Sequence, residues 1–84
     1  MNKEVVLRQI GAKIRALRTN KKLSLTEFSD RLNMEYNNLI RIEKGRTNLT
    51  IGTLLKICHV LRANLPEVVS VEGANFEQSE EREQ

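Results

Sequence analysis

Apolar residues recur along this chain at helical spacing, and polar punctuation divides them into five segments. Val6, Ile10, Ile14 and Leu17 fall three or four residues apart with Lys13, Arg15 and Arg18 between them, the pattern of one buried helical stripe. This predicts a first helix from roughly Lys3 to Asn20, ended by the polar run Asn20-Lys21-Lys22. Ser24-Leu25-Thr26-Glu27 then fits a capping box, in which the Ser24 hydroxyl accepts from the Glu27 amide and the Glu27 carboxylate accepts from the Ser24 amide. It opens a second helix whose buried face is Leu25, Phe28 and Leu32. Asn33 tolerates a left-handed backbone and is placed to end that helix in a tight turn. A third helix is expected from about Glu35 to Lys44, stopped by Gly45. Thr50 begins a fourth, with Leu54, Leu55, Cys58 and Leu61 as its apolar stripe. Asn64-Leu65-Pro66 opens a short fifth, with Pro66 in the first turn, where a missing amide hydrogen costs little.

The expected architecture is therefore all-α, a compact bundle of five short helices. Residues 1–71 form the domain, and residues 72–84 are expected to be a disordered acidic tail, because GANFEQSEEREQ has no apolar period and an excess of negative charge. With 84 residues there is chain for one core only. An aromatic content of 4% makes that core aliphatic.

Charge sharpens the picture. Residues 1–71 carry 13 Lys/Arg against 6 Asp/Glu, a balance of +7, whereas residues 72–84 set one Arg against five Glu, a balance of −4. The overall +3 thus understates how basic the folded part is. Such a surface attracts polyanions, nucleic acid first. Cys58 is the single cysteine, which excludes an internal disulfide and a multi-cysteine metal framework. No apolar run approaches the roughly 20 residues of a membrane span, and MNKEVVLRQIG interrupts its apolar residues with charge. A cytoplasmic protein without a membrane partner is expected.

The chemistry sits on the third helix. At about 100° per residue, Leu39 and Ile42 set its buried direction, and Asn37, Arg41 and Lys44 fall on the opposite side with Tyr36 beside them. Asn pairs bidentately with the adenine edge and Arg with the guanine edge, and a basic helix face also meets phosphates. Standing after a capped helix and a tight turn, this helix completes a helix-turn-helix over residues 24–45, a motif that lays its second helix in the major groove of DNA. Glu43 lies only about 40° from Leu39 and points partly inward. A carboxylate there needs a partner, and Arg18 on the flank of the first helix is the best placed.

Other chemistries find less support. Cys58 on the apolar stripe is expected to be a small core residue and His59 an exposed or interface residue; the two lack the further ligands a metal needs. Ser24 is explained as a cap, and no paired carboxylates or nucleophile–base set occurs. No enzyme activity and no cofactor are expected.

The motifs IRALRTNKKLSLTEFSDRL, NMEYNNLIRIEKGRTNLT and IGTLLKICHVLRANLPEVV resemble the Cro/C1 repressor type of helix-turn-helix domain, also called the XRE family of bacterial and phage regulators, over about residues 8–69. The Leu17-Arg18 pair, Ser24, Ile42-Glu43-Lys44-Gly45 and Leu65–Val69 carry the likeness. It implies a lambda-repressor-like fold and a homodimeric, sequence-specific regulator of transcription, a repressor, bound to double-stranded DNA. It also implies base-reading positions at Tyr36, Asn37 and Arg41, phosphate positions at Ser24, Asn38, Lys44, Arg46 and Asn48, and an internal Arg18–Glu43 ion pair. The chain departs from the family with Leu25 where Gln is common, Ser29 where Ala is common, and Asn33 where Gly is common. Ile40, towards the reading side, is open between touching a thymine methyl, packing on a neighbour and doing neither. Leu65, Val68, Val69 and Val71 offer an apolar patch for a two-fold contact, unless some of them cap the core instead. The alternative reading of the same fold is an antitoxin or protein-interaction module, with the acidic tail meeting a protein partner.

Overall fold

A computed structural model describes residues 2–70; the expected acidic tail and Val71 lie outside the described residues. Five helices follow in order: α1 Lys3–Asn20, α2 Leu25–Leu32, α3 Tyr36–Glu43, α4 Ile51–Leu61 and α5 Leu65–Val69. No strand occurs among the described residues. α1 packs against α3, α4 and α5, while α2 packs against α3 and α4. The core gathers one stripe from each helix: Ile10 and Ile14, Phe28 and Leu32, Leu39 and Ile42, Leu54, Ile57, Cys58 and Leu61, and Val68. No helix among the described residues is long and apolar enough to cross a membrane.

The helices start and stop for local reasons. Asn2 caps α1 by accepting from the Glu4 amide at 2.8 Å. The Ser24–Glu27 box closes in both directions, at 3.0 Å to the Ser24 hydroxyl and 2.9 Å to the Glu27 carboxylate. Thr50 caps α4 by accepting from the Thr53 amide at 3.1 Å, and Glu67 accepts from the Asn64 amide at the start of α5. The first four helices end alike. A residue with positive φ (Lys22, Asn33, Gly45 and Arg62) turns the backbone left-handed. Two amides then fold back onto the last carbonyls, as when the amides of Asn33 and Met34 donate to Asp30 and Ser29.

Three expectations change. Leu55 does not belong to the α4 stripe: it is 52% exposed, and Ile57, wholly buried, takes its place. Leu54 sets the inward direction, so positions three, four and seven residues later share it, while the next residue is turned by about 100°. Val68 is wholly buried against the core and leaves the apolar patch, whereas Leu65 and Val69 are half-buried. Leu25 is likewise half-buried, packed on the edge of the core rather than in it.

Candidate nucleic-acid interface

One guanidinium sets the position of α3. Arg18 Nε donates to Glu43 Oε2 at 2.7 Å and Nη2 donates to Oε1 at 3.1 Å, a two-pronged pairing with side chains only 9% and 6% exposed. Its Nη1 donates to the Leu23 carbonyl at 2.8 Å, just ahead of α2. The end of α1, the start of α2 and the end of α3 are thereby tied through a single planar group. The sequence pointed to Glu43 as a partner but carried no sign of the Leu23 carbonyl.

The crossing of α1 over the end of α3 depends on Gly11. A Cβ at that position would stand 2.4 Å from the Ile42 carbonyl oxygen and 2.5 Å from that of Glu43. The backbones are therefore in direct contact. Gly11 escaped the hydrophobic pattern because it has no side chain to count, although a glycine inside a helix is itself a sign of close approach. Ser29 is a second small residue, buried on α2. It is 3% exposed, and its hydroxyl donates to the Thr26 carbonyl at 3.0 Å, so a small polar residue sits inside without an open hydrogen bond.

So held, α3 buries Leu39 and Ile42 and turns its other side outward. Tyr36, at its first position, is 44% exposed, and Asn37 and Arg41 are exposed. Asn38 is half-buried, and its Oδ1 accepts from Arg41 Nη2 at 3.3 Å. That bond joins a residue expected at phosphate to one expected at a base edge, and among the described residues the other guanidinium donors of Arg41 have no partner. Ile40 is half-buried. Lys44 and Arg46 are exposed beyond the helix end, where the Gly45 and Arg46 amides donate to Ile42 and Arg41 at 3.0 and 2.8 Å. Asn48 is exposed in the segment leading to α4.

The start of α2 faces solvent too. The Ser24 oxygen accepts from the Glu27 amide, and its hydroxyl lies beside the Glu27 carboxyl. The Leu25 and Thr26 amides, at the open end of the helix, have no intrahelical acceptor. The two bonds from Ser24 hold the Glu27 carboxyl below the usual 4.5, so it stays charged there. Cys58 and His59 are parted by burial, Cys58 inside and His59 exposed. No group of three or more His, Cys, Asp or Glu side chains among the described residues is arranged to hold a metal ion.

Comparison with solved structures places this arrangement among known regulators. The clp gene regulator ClgR from Corynebacterium glutamicum aligns at 26% identity and a TM-score of 0.75, over 77% of this chain and 83% of that one. The restriction-modification controller protein C.AhdI from Aeromonas hydrophila aligns at 26% identity and 0.71, over 74% and 94%. The DNA-binding domain of BldD aligns at 25% identity and 0.72, over 82% and 99%. No curated protein matches the chain. The family model HTH_3, helix-turn-helix, matches residues 14–68, from the middle of α1 to the last turn of α5. The chain belongs to this HTH_3 family of Cro/C1-type helix-turn-helix proteins.

Proposed function

We propose that this chain is a sequence-specific DNA-binding regulator of transcription, a cytoplasmic repressor without enzymatic activity, that reads the major groove with α3 as a homodimer. The observation that carries this reading is the division of α3. Leu39 and Ile42 anchor one side, Arg18 fixes the end through Glu43, and Asn37 and Arg41 are exposed on the other side with Tyr36 at the helix start. An α-helix is about 10–12 Å across with its side chains, which fits a groove about 12 Å wide. Tyr36, Asn37 and Arg41 are assigned to base edges. Ser24, Lys44, Arg46 and Asn48 are assigned to phosphates, together with Asn38, which also steadies Arg41. The functional unit is residues 1–71, and the half-buried Leu65 and Val69 supply the two-fold contact. Two subunits would meet half-sites about 34 Å apart on one face of the duplex. The regulator names borne by ClgR and C.AhdI support the same reading.

Binding to duplexes from the native locus across a salt series tests it. Arg41→Ala is expected to lose discrimination at particular base pairs, by about 1–3 kcal/mol at each. Lys44→Ala and Arg46→Ala are each expected to weaken all sequences alike and lower the salt slope by about one. Salt-insensitive binding, or no binding to any duplex from the locus, would sink the assignment.

A further inference from the structure

A groove runs between α1, from Lys3 to Arg15, and the turn that follows α3, and cations from both sides line it: Lys3, Arg8 and Arg15 from α1, Lys44 and Arg46 from the turn. Two glycines create it. Gly11 brings α1 onto the end of α3, and Gly45, at φ +71, lies against the backbone of Arg8, where a Cβ would stand 2.5 Å from the Arg8 Cα and N. Two carboxylates share the lining, Glu4 and Glu43. Glu43 is taken up by Arg18, which leaves Glu4, in the first turn of α1, against five cations. None of those five has an ion-pair partner within 4 Å among the described residues.

Arg8 and Arg15 are seven residues apart, so they fall within about 20° of one another around α1 and about 10 Å apart along it. Lys13 lies about 140° away from that line. Neither Arg8 nor Arg15 supports the core, since both are exposed. Like charges gathered in one groove repel, by about 0.4 kcal/mol for each pair 10 Å apart in water before screening. The arrangement is therefore mildly unfavourable in the free protein and favourable once a polyanion enters. The groove is also continuous with Lys44 and Arg46, which directly follow the outward face of α3. It is open along its length, as suits a strand of successive phosphates.

We propose that α1 is a second phosphate-gripping element: Arg8 and Arg15 bind the DNA backbone flanking the bases that α3 reads, in line with Lys44 and Arg46. The proposal rests on the DNA-binding reading above. It adds sequence-independent affinity from a helix outside residues 24–45 and widens the footprint on the duplex.

The test uses the full chain and duplexes from the native locus, with anisotropy titrations between 50 and 200 mM salt. The double variant Arg8→Gln/Arg15→Gln should reduce the salt slope by about two, so that it loses about tenfold less affinity than the wild type across that range. It should weaken operator and unrelated duplex equally, while Lys13→Gln leaves the slope unchanged. A second measurement needs no variant: single methylphosphonates placed along the flanks should weaken wild-type binding at positions outside the bases whose discrimination depends on Arg41. An unchanged slope in a folded double variant, an equal loss in Lys13→Gln, or flanks indifferent to neutral phosphates would each overturn the proposal. If the wild type binds and these results are negative, only the role of α1 falls. If the wild type binds no duplex at all, the functional assignment falls with it.

Discussion

At Gly11 two effects of opposite sign act on one methyl group. Inside a helix, alanine is favoured over glycine by about 1 kcal/mol. Here the added carbon would meet the Ile42 and Glu43 carbonyl oxygens at 2.4 and 2.5 Å, and backbone atoms of a packed helix cannot step aside as a side chain can. Overpacking of this kind costs about 1–3 kcal/mol, so Gly11→Ala is expected to lower stability in chemical denaturation despite its better propensity. The Arg18–Glu43 pair obeys a related asymmetry. With both side chains under a tenth exposed, removing one leaves a buried charge alone, and Glu43→Ala is expected to cost about 3–5 kcal/mol. Replacing both, as in Arg18→Met with Glu43→Leu, should recover most of that loss, because the desolvation cost of two charges disappears with them. A double variant as unstable as the single one would show that the contacts of Arg18 to the Leu23 carbonyl, rather than the ion pair, dominate this corner.

Among the helices, α2 carries a pH dependence that follows from its first turn. The Glu27 carboxyl is held below its ordinary 4.5, first by the Ser24 amide and then by the Ser24 hydroxyl. A carboxyl lowered on folding contributes stability that is present above its unfolded value and lost as pH falls through the folded one. Wild-type stability should therefore decline below about pH 4.5, and Glu27→Gln should remove that part of the decline; parallel acid-unfolding curves for the two proteins would refute it. Helix ends show how far sequence reading reaches at this scale. Asn33 and Gly45 were legible as left-handed turn residues, Asn33 because its short amide bonds locally and Gly45 because it has no Cβ to clash at positive φ. Lys22 and Arg62 adopt the same conformation, and nothing in a lysine or an arginine announces it. There the fold imposes the turn on a residue that resists it.

For the molecule as a whole, the apolar patch on α5 separates into two parts with different readouts. Val68 is wholly buried, so Val68→Ala should lower the unfolding midpoint. Leu65 and Val69 are half-buried, so Leu65→Ser with Val69→Ser should shift the sedimentation behaviour toward monomer if they form the two-fold contact. A double variant that self-associates like the wild type would place that contact elsewhere. The order of residues alone sets the five helices, the starts of α2, α4 and α5 at Ser24, Thr50 and Asn64, the inward stripes of α1 and α3, and the outward position of Tyr36, Asn37 and Arg41, because each follows from the period of a single helix and from hydrogen bonds within a few residues. The packing of the helices on one another sets the rest: Leu55 faces solvent and Ile57 the core, Val68 is buried, Gly11 is a point of backbone contact, and Arg8 and Arg15 share a groove with Lys44 and Arg46. Those facts depend on which surfaces of different helices meet. A local pattern cannot encode that, since burial is a property of the neighbour as much as of the residue.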